Sequence, residues 1–247
     1  MIKLERAPVP EFLTECKVTE LTTEFKKSGK SVWNQTHIKA PLLSSSHGKC
    51  AYCECSLETE SNYMEVEHFE DKSSNPDKVV DWENLLPSCK KCNGAKGTHD
   101  VIADPIVNPY RDDPKDHLAL RLYRLRGITD IGVCTIQVTN LNHSERLVFS
   151  RYKIGEKVSE LIETSWERWH SYQKASDTRS KNKLLGVVEG LLKECTPHAS
   201  YAASTATILL TDSSFCELIE NMKVASVWTE DLEDTLQKAL PIVLKCA

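Results

Sequence analysis

Cys50-Ala51-Tyr52-Cys53 opens the segment whose reading decides the fold of this 247-residue chain, and Cys89-Lys90-Lys91-Cys92-Asn93-Gly94-Ala95-Lys96-Gly97 closes it. Each C-x2-C pair is a two-residue knuckle, a turn that lets both sulfurs face one tetrahedral ion. Cys50, Cys53, Cys89 and Cys92 are therefore read as the ligands of one structural zinc. Cys55 is close enough in sequence to exchange with Cys53, although their shorter spacing makes a poorer knuckle. The alternative, four buried free cysteines, would have to produce the double spacing by chance. The 35 residues between the pairs exceed the usual spacing of a compact zinc ribbon, and an inserted functional loop explains the excess.

The inserted loop carries Val66-Glu67-His68-Phe69 and Asp81-Trp82-Glu83-Asn84-Leu85-Leu86. A zinc held by four thiolates is coordinatively closed, so any catalysis here needs a second, open metal. Glu67 offers a hard carboxylate oxygen and Asn93 an amide oxygen, ligands suited to Mg2+ or Mn2+. The His68 imidazole titrates near neutrality and is fit to take a proton from an attacking water. Asn84 is the candidate to hold that imidazole in one tautomer. Lys96, about one turn beyond Asn93 if the segment starts a helix, is the candidate for phosphate contact. Taken singly, each has a plainer reading: His68 at the surface, Asn84 capping a turn, Asn93 closing a zinc knuckle. Their co-occurrence, in order, around one clamp favours catalysis. His99 and Asp100 rank below them as secondary contributors.

Composition sets wider bounds. Hydrophobic residues make up 40% of the chain and charged residues 27%, as in a soluble globular protein. No run of eighteen apolar residues occurs, so no membrane span is expected, and Met1 to Pro10 lacks an apolar signal core. With ten cysteines and this pairing, a reducing cytoplasm with metal-held thiolates is expected rather than a disulfide scaffold. The net charge of −5 lies wholly in residues 194–247, so the preceding region is neutral. Within it, Arg168 to Lys183 and Lys115 to Arg126 form basic stripes, readable as phosphate tracks or as solvated faces. The acidic C-terminal region suits core packing and protein contact better than nucleic acid.

The expected fold class is α+β and predominantly α, a zinc-clamped module inside a helical protein. Residues 1–49 are read as an N-terminal helical arm, with a helix near Glu11 to Lys27 stopped by Gly29, and with Trp33 and Ile38 packing on the module. Residues 50–142 form the module with two following strands, Leu118 to Leu125 and Val133 to Thr139, the second alternating in part. Residues 143–247 form a helical domain. There Ile154, Val158, Leu161, Ile162, Ser165 and Trp169 keep helical spacing, as do Leu184, Leu185, Val188, Leu191 and Leu192.

The order acidic-His, D-x-x-N-L and C-x-x-C-N-x-x-K-G resembles the HNH, or ββα-metal, nuclease superfamily. That resemblance implies a hairpin carrying Glu67 and His68 and a helix carrying Asn93. It implies His68 as general base, Glu67 and Asn93 as ligands of the catalytic metal, and Asn84 as the residue orienting the loop. Glu replaces the commoner Asp before the His, and Asn stands in the third motif position. Met1-Ile2-Lys3-Leu4-Glu5-Arg6, Asn108-Pro109-Tyr110-Arg111-Asp112-Asp113-Pro114, Thr135-Ile136, Asn140-Leu141-Asn142 and Arg146 extend the likeness. They are similar to the PtuB-type HNH proteins of Septu and retron-associated antiphage systems, over roughly residues 1–155. This implies an effector nuclease in a hetero-oligomeric complex with a PtuA-type ABC ATPase, and the chain itself holds no G-x4-G-K-[ST] loop. DNA is the favoured substrate. An RNA- or tRNA-cleaving effector and a non-catalytic zinc adaptor are the alternatives.

Overall fold

A computed structural model describes residues 1–57 and 63–246. Among them the chain divides into two compact units, Met1–Leu118 with Arg126–Asn142, and Ala119–Leu125 with His143–Ala247. The fold class is α+β and predominantly α, with small sheets.

In the first unit, helix α1 (Glu15–Ser28) begins where the Thr14 side chain accepts from Lys17 N and ends at Gly29, whose φ of 68° is the left-handed turn that glycine adopts freely. It starts later than the expected Glu11 because the chain first turns, with Leu13 N donating to Pro10 O. Helix α2 (Thr36–Ser45) buries Ile38 and Leu42 and packs on the hairpin that follows. Strands β1 (Met64–His68) and β2 (Leu85–Cys89) pair antiparallel, with His68 opposite Leu85 and Met64 opposite Cys89. Helix α3 (Lys90–Lys96) leaves β2 directly and lies against both strands.

Residues 1–49, expected as an arm, belong to this same unit. Leu4 N donates to Pro109 O, the N-terminal ammonium pairs with buried Glu54, and Arg6 donates to the carbonyls of Trp82 and Leu85. The Arg6 guanidinium also lies over the Tyr110 ring, 3.9 Å from its centroid. These contacts give the opening Met1-to-Arg6 stretch a packing role beside the loop that ends in Asn84.

The expected strand Leu118 to Leu125 is a hairpin, β3 (Leu118–Arg121) and β4 (Arg124–Gly127), turned at Leu122 and Tyr123 with φ of 47° and 62°. Two successive left-handed residues make the tight hairpin turn that Asn-Gly usually supplies, so sequence offered no turn signal there. The expected strand Val133 to Thr139 is instead helix α4 (Asp130–Val138). Thr129 caps it by accepting from Gly132 N, Asp130 sits in its first turn, and Gly132, Thr135 and Thr139 are buried at helical spacing. The partial apolar alternation that suggested a strand is overridden by this cap.

In the second unit, helices α5 (Phe149–Ala175) and α6 (Thr178–Lys193) pack along their apolar stripes, burying Val158, Ile162 and Trp169 on one and Leu184, Val188 and Leu191 on the other. Helices α7 (Ala202–Leu210), α8 (Ser213–Val224) and α9 (Glu230–Ala239) complete the bundle. Strand β5 (Lys245–Cys246) pairs parallel with β3. Among the described residues no helix is long and apolar enough to cross a membrane.

Candidate active site and metal clamp

Four sulfurs converge at the base of the hairpin. Cys50 and Cys53 come from the turn before β1, Cys89 caps α3 and Cys92 lies in its first turn; all four are buried, and their sulfurs lie within 4.8 Å of one another. Cys53 Sγ and Cys89 Sγ are 3.8 Å apart. A tetrahedron around zinc with bonds of about 2.3 Å has edges of about 3.8 Å, so the cluster fits that ion. Cys55 is buried nearby but is not one of the four convergent ligands.

The clamp fixes α3 against β1, and the two periods then decide which side chains meet. On a strand, Glu65 and Glu67 share one face; on a helix, Asn93 and Lys96 do. Asn93 Nδ2 donates to Glu65 Oε2 at 2.9 Å, and Lys96 Nζ lies 2.7 Å from Glu67 Oε1. Glu67 is buried, and desolvation raises its pKa to about 7 against the opposing pull of Lys96. Sequence reasoning missed Glu65; its i, i+2 relation to Glu67 was the available signal.

Lys96 sits differently from its expected place. It is buried, and Nζ donates to the His68 carbonyl at 3.0 Å besides pairing with Glu67, so it faces β1 and not a solvent-borne phosphate. The cause is its position one turn after Asn93 on the inward face of α3.

His68 is buried at the end of β1. Its Nε2 is 2.9 Å from the Val79 carbonyl. A carbonyl only accepts, so Nε2 carries the hydrogen and Nδ1 keeps the lone pair of the neutral ring. Burial lowers the His68 pKa to about 4, with the Val79 bond opposing and nearby Lys72 and Lys96 adding to the shift. Trp33 meets the ring edge-on, with centroids 4.7 Å apart.

Asn84 does not touch the imidazole. Its Oδ1 accepts from Glu70 N at 2.7 Å, and its Nδ2 donates to the carbonyls of Glu70 and Lys78 at 3.0 and 3.2 Å. It thus closes the loop from Phe69 to Trp82 and sets the backbone beside Val79, whose carbonyl fixes His68. The tautomer is held by the loop, with Asn84 acting one residue removed.

An open cleft of about 390 Å³ is lined by Trp33, Lys39, Tyr63, Glu65, Lys72 and Asn93, among others. Lys39 and Lys72 are the lysines of its lining, and Lys72 lies over the Trp33 ring. Neither lysine was singled out from sequence. His99 and Asp100 lie outside this cleft, in the loop after α3.

The oxygen donors here, the Glu67 carboxylate, the Asn93 amide oxygen and neighbouring Glu65, are of the class that Mg2+ and Mn2+ select.

The HNH endonuclease family matches residues 50–99. The chain is 41% identical to the Septu protein PtuB of Bacillus thuringiensis, covering 97% of this chain and 93% of that protein. It is 26% identical to the Septu protein PtuB of Bacillus mycoides strain KBAB4, over 64% of this chain and 68% of that protein.

Proposed function

The chain belongs to the Septu PtuB family and carries an HNH endonuclease domain, and from that premise we propose that it hydrolyses DNA phosphodiester bonds as the effector of a bacterial antiphage defence system. The observation that carries the mechanism is His68 held neutral, with its Nε2 hydrogen committed to Val79 O and Nδ1 left as the basic nitrogen. In this reading Nδ1 takes the proton of the attacking water. Glu67 and Asn93 would hold a catalytic Mg2+ or Mn2+, which would supply stabilisation of the charge that develops on the phosphate and leaving oxygen. Asn84 keeps the Val79 loop in place. Lys39 and Lys72, in the cleft beside them, attract the phosphate backbone, the role first given to Lys96.

Support for DNA over RNA comes from the cleft. It offers cations for a backbone and, among the described residues lining it, Tyr63 as the one well-exposed aromatic, where readers of unstacked bases present several. The partner in this reading is a PtuA-type ABC ATPase, engaged through the acidic C-terminal helices in a hetero-oligomer. Metal-held thiolates, as in this reading of the four-cysteine clamp, suit a reducing cytoplasm.

The test is to incubate the purified chain, alone and with that ATPase, with plasmid DNA and total RNA in Mg2+ or Mn2+. Cleavage of DNA that stops on chelation of the divalent ion is expected. Cleavage of RNA with DNA left intact would move the reading to an RNA- or tRNA-cutting effector. No cleavage in any combination would make the module a zinc adaptor.

A further inference from the structure

Away from the cysteine clamp, a second set of metal-binding side chains converges in the first unit. His99 and Asp104 come from the loop after α3, and Cys134 comes from α4; their ligand atoms lie within 4.8 Å of one another. Cys134 Sγ is 3.2 Å from Asp104 Oδ2 and 3.9 Å from His99 Nε2. An ion with tetrahedral bonds of about 2.3 Å to sulfur and about 2.0 Å to nitrogen or oxygen needs edges of about 3.5 Å, which these two distances bracket. We propose that His99, Asp104 and Cys134 form a second transition-metal site, of the class that takes zinc. It is separate from both the four-cysteine clamp and the hydrolytic centre.

The donor types decide the class of ion. A thiolate with an imidazole selects zinc-like metals over Mg2+ and Ca2+, which take oxygen. Local structure already arranges the donors. Asp100 Oδ1 accepts from Ile102 N and Ala103 N, and Asp104 N donates to Asp100 O, so the turn between His99 and Asp104 is closed. Cys134 is set by α4, which is seated in turn by Thr135 Oγ1 accepting from Val107 N at 2.8 Å. His99 is half-buried and Asp104 exposed, so the fourth position opens to solvent and suits a water.

As the structure stands, the Cys134 thiol donates to Asp104 Oδ2, and His99 Nε2 donates to the Asp104 carbonyl at 2.7 Å. Binding an ion replaces both bonds: the thiol releases one proton to solvent, and the neutral imidazole carries its hydrogen on Nδ1 instead. The ion would then tie the loop leaving the nuclease helix to α4, bracing the module from its C-terminal side. The competing account is that these hydrogen bonds are the whole of the arrangement.

Metal analysis of the full chain, equilibrated with zinc and passed through a desalting column, tests this. Two zinc ions per chain are expected in the parent, and one in Cys134→Ser and in Asp104→Ala, with unchanged circular dichroism. Affinity for the second ion should fall at least about tenfold. Asp104 is exposed, so its variant keeps the fold and decides the matter if Cys134→Ser does not. Cobalt substitution gives an independent readout: the parent should add to the four-thiolate spectrum a component with a single sulfur ligand, absent from both variants. One zinc in the parent, or two retained in the folded variants, overturns the proposal.

Discussion

His68 lies buried between the Trp33 ring and the Val79 carbonyl, and that placement has a consequence for stability as well as chemistry. Burial lowers its pKa from 6.5 to about 4, so the unfolded chain binds this proton more readily than the folded one. The contribution is fully present above pH 6.5 and is lost as pH falls through the window from 6.5 to about 4. Its size is on the order of 3 kcal/mol. His68→Phe should therefore lose less stability than the parent between pH 7 and pH 4.5 in denaturant titrations. Zinc-site protonation is common to both and cancels in the comparison; equal losses would show that His68 does not titrate this way. Asn84 makes a different prediction. Asn84→Ala removes three hydrogen bonds and leaves the part-buried N–H and carbonyl of Glu70 without this partner, while the Lys78 carbonyl keeps Asp81 N, at a cost of about 1–3 kcal/mol. Thermal melting should register that loss, together with reduced cleavage as the Val79 carbonyl shifts.

At the scale of elements, the hairpin and α3 depend on the clamp because Cys89 ends β2 and caps α3 at once. Cys89→Ser should unfold the module and not simply slow it, visible as lost zinc and lost cooperative melting. Helix α4 makes a sharper test because propensity and packing disagree there. Alanine is the better helix former, yet a Cβ at Gly132 would lie 2.0 Å from the His117 carbonyl oxygen, a backbone atom that cannot step aside. Gly132→Ala should cost about 1–3 kcal/mol; a gain in melting temperature would contradict the packing described. The sequence elements that read correctly are those with strong local signals: the Gly29 stop, the two knuckles and the long stripes of α5 and α6. Helix α4 misled because Thr135, Gln137 and Thr139 alternate with apolar neighbours, while its identity rests on one cap at Thr129. The β3–β4 turn was invisible because Leu122 and Tyr123 do not advertise left-handed backbone.

Over the whole molecule, charge is segregated. Glu230, Asp231 and Asp234 are exposed on α9, whose apolar side buries Leu232 and Leu236 in the helical bundle. If this face meets the ATPase, reversing those three charges should weaken co-purification while sparing fold and zinc. Unchanged co-purification, with nucleic-acid binding lost instead, would mean the two surfaces are exchanged. The candidate site was legible as far as motif order goes: His68, Glu67, Asn84 and Asn93 could be named from the chain. Which partners they meet was not, since Glu65 with Asn93, Lys96 with Glu67, and Trp33 with His68 are set by pairing across strands and elements. The central claim for the full chain is that one nitrogen of one histidine takes the proton from water. Its most direct test is cleavage by His68→Ala, with zinc content and melting temperature measured on the same preparation. The predicted result is a loss of about 100-fold to 10,000-fold in rate with zinc retained, as removal of a general base requires. Cleavage at the parental rate by the folded, zinc-loaded variant would contradict it.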